Sequence, residues 1–201
     1  MTKKYHDIDM LPIDLLNDWL LKEKSVGAPN PSHAVLSTCT SNGLPHARVV
    51  AIREIDEQGL LFFTQRGTRK VNELHNNSFA TMTFWFELQQ RQIIIEGLAI
   101  TLSNLDNERY WKTYPREAQV RFHSYAPTSA QPIVSKEVLE NKKKQIEIEF
   151  DAKTLPVSPF YCGFRLKPSR MIFYAYRTDE LSDVFEYRYI DEQWKKQWLS
   201  P

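Results

Sequence analysis

Glycine is scarce in this chain. Its 201 residues include six glycines, scattered at Gly27, Gly43, Gly59, Gly67, Gly97 and Gly163. Their spacing contains neither the G-x-G-x-x-G pattern of dinucleotide-binding loops nor the G-x-x-x-x-G-K-[ST] pattern of P-loops. The scarcity therefore excludes the common glycine loops for nucleotide phosphates, so a phosphate bound by this chain has to be held in another way.

Cysteines and long apolar runs are also scarce. The two cysteines, Cys39 and Cys162, form no C-x-x-C pair, and such a pattern is typical of buried thiols in a reducing cytoplasm. No run approaches the roughly 18 apolar residues of a membrane-spanning helix, and the N-terminus lacks the apolar segment of a signal peptide. We therefore expect a soluble, cytoplasmic protein with no membrane partner.

The net charge is close to zero. The 26 Lys and Arg residues are balanced by 25 Asp and Glu residues, which gives a formal net charge of +1. The chain thus has no overall basic field for nucleic acid. We expect no nucleic-acid partner, and any charge that matters for function has to be local.

The residue patterns predict a mainly β protein with inserted helices (α+β). The length suits one domain over residues 1–201, with residues 1–12 as a flexible lead-in. Tight turns at 41–45 and 56–59 join consecutive apolar segments, which indicates antiparallel pairing and a closed or split barrel. Helices are predicted at 13–24, 68–76, 104–114, 117–123 and 135–150. Strands are predicted at 34–40, 47–55, 60–64, 79–87, 91–102, 161–166, 170–176, 184–190 and 194–199.

Two common kinds of catalytic site have no support in the sequence. The histidines His6, His33, His46, His75 and His123 show no metal-ligand spacing, so we predict no metal site. The G-x-S-x-G motif of α/β-hydrolases is absent as well.

A basic cluster does stand out. Arg48 and Arg53 are five residues apart on one predicted strand, so their side chains point to opposite faces. Arg69 and Lys70 begin a short predicted helix that Thr68 can cap. Free N–H groups at a helix start, together with arginines, are typical of a phosphate site. Composition alone leaves the alternative of basic residues around an exposed turn.

Six motifs in order resemble the pyridoxamine 5′-phosphate oxidase family. They are R-V-V-A-I-R (48–53), F-F-T-Q (62–65), G-T-R-K (67–70), R-Q-I-I-I-E-G (91–97), Y-C-G-F-R-L (161–166) and W-K-K-Q-W-L-S-P (194–201). The similarity runs from about Leu11 to Pro201. Because several motifs stand in register, the resemblance displaces the exposed-turn alternative for the basic cluster.

The resemblance implies an FMN-binding split antiparallel β-barrel, working as a homodimer with FMN at the interface. It places the FMN phosphate on Arg48, Arg69 and Lys70, with Thr64 and Thr68 nearby. It places Gln92 at the polar edge of the flavin ring and Tyr174 where the family often has a tryptophan. The other residues that it assigns to the cofactor are Val49, Val50, Ala51, Ile52, Arg53 and Phe63.

The substrate side departs from the family pattern. The family holds its substrate phosphate with a Lys, a Tyr, an Arg and a Ser, and these positions fall on Arg53, Tyr110, Tyr114 and Ala118. An arginine fork and a hydroxyl are therefore lost. Arg53, Tyr110 and Tyr114 remain the predicted substrate-binding residues.

A second departure lies near the C-terminus. The family's Arg-x-His-x-Arg signature falls on Glu180, Ser182 and Val184, and a carboxylate at position 180 would repel a dianionic substrate. Arg177 lies nearby and compensates in part if the loop register slips, an alternative that the sequence leaves open.

Taken with the resemblance, these residues predict an FMN-dependent oxidase that passes electrons from a small-molecule substrate to O₂. The changed substrate side favours a substrate other than pyridoxamine 5′-phosphate, as in the family's phenazine-pathway member. One alternative is a genuine pyridoxamine/pyridoxine 5′-phosphate oxidase, and a second is a non-catalytic flavin-binding dimer. The sequence singles out no catalytic residue.

Overall fold

The computed structural model describes residues 10–151 and 153–201. The helices in this part of the chain are α1 (Pro12–Ser25), α2 (Arg69–Asn76), α3 (Asn104–Lys112), α4 (Arg116–Tyr125) and α5 (Lys136–Glu149). The strands are β1 (His33–Cys39), β2 (Pro45–Asp56), β3 (Gly59–Gln65), β4 (Phe79–Phe86), β5 (Arg91–Thr101), β6 (Tyr161–Ala175), β7 (Asp183–Ile190) and β8 (Gln193–Trp198). Most of the predicted lead-in, residues 1–9, lies outside the described residues.

The strands form one antiparallel sheet that closes on itself. Their order is β3-β2-β1-β4-β5-β6-β7-β8, and an additional pairing of β3 with β6 closes the first six into a barrel. Strands β7 and β8 extend the sheet beyond β6. The predicted antiparallel barrel with inserted helices is confirmed.

Alternating side chains explain why these strands enclose a core. Along β4, Ala80, Met82, Phe84 and Phe86 are buried, while the residues between them lie on the outer face, as a period of two requires. Helix α1 covers the core with Leu15, Leu16 and Trp19, and the Trp19 indole packs edge to face on Phe173. Complete burial of each such side chain contributes about 1.5–3 kcal/mol.

Strand β6 differs from the prediction, which placed two strands at 161–166 and 170–176. It is continuous because Pro168 lies beside a register shift between Glu96 and Gly97 of β5, and proline is tolerated in a strand at a bulge. A Cβ atom at Gly97 would lie 2.1 Å from the carbonyl oxygen of Lys167. Glycine therefore permits the close approach that keeps β6 whole.

The two cysteines are free and differ in exposure. Cys162 is buried, and burial raises its thiol pKa to about 11. Cys39 is only half-buried. The prediction of two buried thiols is therefore right for Cys162 and wrong for Cys39, which is the last residue of β1.

A second apolar cluster lies outside the barrel. Helices α3 and α4 cover the outer face of β3 and β6, and their Trp111 and Phe122 pack on Tyr161 of β6. Tyr161 also stacks on Phe63 of β3, with ring centroids 4.8 Å apart. This cluster fixes the helices that carry Tyr110 and Tyr114 to the barrel.

A buried carboxylate ties the added strands to the barrel. Glu186 of β7 is fully buried and accepts hydrogen bonds from Arg170, Arg188 and Gln197. Burial alone would raise the pKa of Glu186, but these donors lower it to about 2. Glu186 is therefore ionised at neutral pH, with its charge fully compensated.

Acid is expected to destabilise the protein through Glu186. Because the folded pKa lies below the unfolded value of about 4.3, the stabilisation is complete above that value and is lost as pH falls towards the folded pKa. The free energy of urea unfolding should therefore fall more steeply on acidification for wild type than for Glu186→Gln. At pH 7 the variant should be less stable by about 1–3 kcal/mol, because Arg188 loses its carboxylate partner and Arg170 keeps only Glu96. Equal pH slopes would contradict this.

Candidate functional site

The predicted phosphate-binding residues line one cavity. It has a volume of about 330 Å³, and we call it the anion pocket. Its lining comes from the start of β2, the start of α2 and a loop before α5: His46, Ala47, Arg48, Gly67, Thr68, Arg69, Lys70, Ser129, Ala130 and Gln131. The structure thus brings Arg48, Arg69 and Lys70 together.

Arg48 reaches the pocket from the core-facing side of β2. It shares that side with the buried Val50 and Ile52, whereas Val49, Ala51 and Arg53 are exposed on the other side. Its Nη1 atom donates to the Thr38 hydroxyl at 2.7 Å and to the Leu36 carbonyl at 3.2 Å. The predicted opposition of Arg48 and Arg53 is confirmed.

Helix α2 supplies the other two cations. Lys70 is half-buried and donates from Nζ to the Thr64 hydroxyl at 3.2 Å, whereas Arg69 is exposed. Thr68 occupies the N-cap position, as predicted, but its hydroxyl donates to the Gln65 carbonyl at 2.8 Å and makes no cap hydrogen bond to the helix. The predicted side-chain cap is therefore wrong. The Thr68 hydroxyl leaves the first backbone N–H groups of α2 available to an anion.

The charges in the pocket favour an anion. Burial lowers the pKa of Lys70, and the nearby Arg48 lowers it further. Burial also lowers the pKa of Arg48, although Glu73 opposes this effect. Cations that are partly removed from water and repel one another gain stability when an anion binds between them. The helix start adds its N–H groups.

Sequence reasoning missed the loop that completes the pocket. Ser129 and Gln131 lie on its wall. The loop is held by the buried Gln65, which donates from Nε2 to the Pro127 carbonyl at 2.6 Å and accepts from the Ser129 amide at 3.3 Å. Gln65 is the last residue of the F-F-T-Q motif. Its partners Pro127 and Ser129 lie more than 60 residues away, so no local sequence pattern predicts these contacts.

The predicted substrate-side residues form a second group outside the barrel. Arg53 donates to the Thr113 carbonyl at 3.0 Å, and its guanidinium lies 5.7 Å from the centre of the Tyr114 ring. Phe63 lies against Tyr110, with ring centroids 5.2 Å apart. The structure therefore brings Arg53, Tyr110 and Tyr114 together around Phe63, while Ala118 is buried in α4.

The Tyr110 hydroxyl is engaged by a carboxylate. It donates to Glu54 Oε2 at 2.7 Å, and Arg165 binds the same oxygen at 3.1 Å. Burial and this hydrogen bond raise the pKa of Tyr110. Sequence reasoning missed Glu54 and Arg165, which come from different strands.

Gln92 lies on β5 and Tyr174 on β6, outside both groups of residues described above. They pair with each other across β5 and β6, and Gln92 also pairs with Trp85 of β4. Neither lines the anion pocket. Tyr174 stacks on Tyr176 at 4.2 Å.

Glu180, Ser182 and Val184, the positions of the family's Arg-x-His-x-Arg signature, lie in the loop before β7 and at the start of that strand. Val184 is buried beside Tyr174, and Ser182 accepts a hydrogen bond from the amide of Arg177. Arg177 itself pairs with Glu180 at 3.1 Å and with Asp183 at 3.0 Å. The one cation of this loop is thus held by two carboxylates.

Among residues 10–151 and 153–201, no three His, Cys, Asp or Glu side chains are grouped to hold a metal ion. No helix in the same part of the chain has the length and apolar character needed to cross a membrane.

Family models match nearly all of the chain. The model described as pyridoxamine 5′-phosphate oxidase matches residues 22–155, and that of the pyridoxine 5′-phosphate oxidase C-terminal dimerisation region matches residues 161–201. A pyridoxine/pyridoxamine 5′-phosphate oxidase of Psychromonas ingrahamii is 32% identical over 94% of this chain and 87% of its own length. The pyridoxine-5′-phosphate oxidase of Dictyostelium discoideum is 34% identical over 94% and 84%.

Solved structures agree. PhzG from Burkholderia lata 383, in complex with tetrahydrophenazine-1-carboxylic acid, has a TM-score of 0.88 and 29% identity over 100% of this chain and 98% of its own. A pyridoxamine 5′-phosphate oxidase-related, FMN binding protein from Nostoc punctiforme has a TM-score of 0.77 and shares the fold at 18% identity, over 96% and 100%. This chain belongs to the pyridoxamine 5′-phosphate oxidase family.

Proposed function

We propose that this protein is an FMN-dependent oxidase whose substrate is not a phosphate dianion. The observation that carries the proposal is the uneven distribution of charge between its two groups of site residues. Arg48, Arg69 and Lys70 gather in the anion pocket. On the substrate side, the retained Tyr110 hydroxyl is bound to the Glu54 carboxylate.

The anion pocket fits the phosphate of FMN. Arg48 and Arg69 offer N–H groups suited to phosphate oxygens, Lys70 adds a desolvated ammonium, and the start of α2 adds backbone amides. We assign Thr64 and Thr68 to the surroundings of the phosphate, and the outer side of β2 from Val49 to Arg53, with Phe63, to the flavin ring. The chemistry that FMN supplies when bound is hydride acceptance and electron transfer to O₂.

A homodimer accounts for the position of Gln92 and Tyr174. Neither residue lines the anion pocket of its own chain, and we assign both to the flavin ring held by the second copy. The outer face of the barrel offers an apolar row for this contact, in which neighbouring residues are paired across strands: Val49, Val35, Thr83, Ile94 and Ile172. Val49 is 62% exposed and Val35 39% exposed, as an uncovered interface would be.

The substrate side suits a planar ring better than a phosphate. Tyr114 replaces an arginine fork, and Phe63 and Tyr110 add aromatic surface. Arg53 is the remaining cation of this group, and a single cation suits one carboxylate. The structural relative PhzG was solved with tetrahydrophenazine-1-carboxylic acid, which supports a reduced heteroaromatic carboxylic acid as the substrate class.

A pyridoxamine/pyridoxine 5′-phosphate oxidase is the alternative. It is supported by relatives of that name at 32% and 34% identity, and by the cation at Arg53 and the hydroxyl of Tyr110. In this case the Glu54 contact would have to open to admit the substrate phosphate.

Anaerobic flavin reduction separates the two functions. Tetrahydrophenazine-1-carboxylic acid should bleach the flavin absorbance of the holoenzyme faster than pyridoxamine 5′-phosphate does, because the Tyr110 hydroxyl is bound to Glu54 and does not donate to a substrate phosphate. Stopped-flow spectroscopy measures both rates. Faster bleaching by pyridoxamine 5′-phosphate would establish the alternative, and a flavin that no amine, reduced heteroaromatic or NAD(P)H reduces would indicate a non-catalytic binding dimer.

Arg69→Ala is expected to weaken FMN binding by about 10- to 100-fold, because one charge-assisted phosphate contact is lost. Riboflavin, which lacks the phosphate, should bind to wild type and variant equally. Flavin fluorescence quenching gives both dissociation constants. Arg121→Ala, on the exposed side of α4, is the matched control, and unchanged FMN affinity in Arg69→Ala would contradict the assignment.

Val35→Glu is expected to shift the protein from dimer to monomer, because it buries a charge in the centre of the apolar row. Sedimentation velocity over a concentration series measures this. Leu105→Glu is the control, because Leu105 is 76% exposed on α3 and lies outside the row. A Val35→Glu protein that stays dimeric would place the interface on another face.

A further inference from the structure

Arg48 is bound on its inner side by a small buried network. The Thr38 hydroxyl accepts from Arg48 Nη1 at 2.7 Å and donates to Glu73 Oε2. The same carboxylate oxygen lies 3.6 Å from Arg48 Nη2. Thr38 and Glu73 are each 4% exposed, and neither lines the anion pocket, whereas Arg48 does.

Glu73 competes for the charge of Arg48. Burial alone would raise the pKa of Glu73, but hydrogen bonds from Thr38 and His46 lower it below its ordinary value, so this residue is a carboxylate. His46 Nδ1 occupies its other oxygen at 2.6 Å. A carboxylate in direct bidentate contact with Arg48 would take the N–H groups that a phosphate needs.

The Thr38 hydroxyl stands between the two charges. It satisfies one Nη atom of Arg48 and one oxygen of Glu73 with a single group. The second Nη atom forms an ion pair with that oxygen at 3.6 Å, a separation longer than that of a hydrogen bond. The Leu36 carbonyl holds the same Nη1 atom at 3.2 Å. The remaining N–H groups of the guanidinium are left for the pocket.

We propose that Thr38 is a positioning residue for the cofactor phosphate, acting as a spacer that holds the Arg48–Glu73 ion pair at 3.6 Å and prevents a direct bidentate contact between the two side chains. This role rests on the proposed function, in which the anion pocket holds the phosphate of FMN. Without the hydroxyl, Arg48 turns towards Glu73, and the pocket loses part of its positive charge.

Thr38→Val and Thr38→Ser test the spacer. Valine keeps the shape and removes the hydroxyl, whereas serine keeps the hydroxyl. Thr38→Val should weaken FMN binding about tenfold and leave riboflavin binding unchanged, while Thr38→Ser should stay near wild type for both. Fluorescence quenching measures the affinities, and melting temperatures report the folding of each variant.

The double variant Thr38→Val/Glu73→Gln makes the test specific. Glu73→Gln removes the competing charge. It should increase FMN affinity more in the Thr38→Val background than in wild type, and a double-mutant cycle measures this coupling. A merely structural Thr38 would lower FMN and riboflavin affinity together and show no such coupling.

The outcomes against the proposal are distinct from one another. Thr38→Val with an unchanged ratio of FMN to riboflavin affinity overturns the spacer role and leaves the proposed function standing. Calorimetry on the wild-type protein tests the proposed function itself. If wild type binds FMN no more tightly than riboflavin and does not bind inorganic phosphate, the proposed function and the role of Thr38 are overturned together.

Discussion

The pairing of β3 with β6 is the constraint on which both groups of site residues depend. It closes the barrel and places Phe63 opposite Gly163, where a Cβ atom would lie 2.6 Å from the Phe63 ring. The outer face beside this pair supports α3 and α4, and with them Tyr110 and Tyr114. The end of β3 leads directly into α2, which carries Arg69 and Lys70. A shift in this one register would move both groups.

The fold places cations and carboxylates in different parts of the molecule. Near-zero net charge hides a local separation, with cations at the start of α2 and carboxylates paired with Arg165 and Arg177. Arg165 and Arg177 each contact two carboxylates, so their charge is largely compensated. In the anion pocket, Arg48, Arg69 and Lys70 lie beside one buried carboxylate, Glu73, so the pocket keeps an excess of positive charge that suits a phosphate.

Much of the fold could be predicted from the sequence, because alternation and helical spacing are local signals. The merged strand β6 could not, since its continuity depends on Gly97 of another strand accommodating Pro168. The sequence also identified Arg48, Arg69 and Lys70, because each lies within a family motif. It did not identify Thr38, Glu73 and Gln65, whose hydrogen-bond partners are 10 to 64 residues away. Spacing along the chain carries no signal for such contacts.

Holding a phosphate with side chains has a consequence that a glycine loop avoids. Backbone amides in a loop are fixed by the chain and have no alternative partner, whereas an arginine can pair with any carboxylate within reach. The site therefore needs neutral groups that keep its cations apart from their own counter-charges. Arg48 donates to the Thr38 hydroxyl and Lys70 to the Thr64 hydroxyl, and in our proposal the Thr38 hydroxyl is the neutral group that keeps Glu73 from a direct bidentate contact with Arg48.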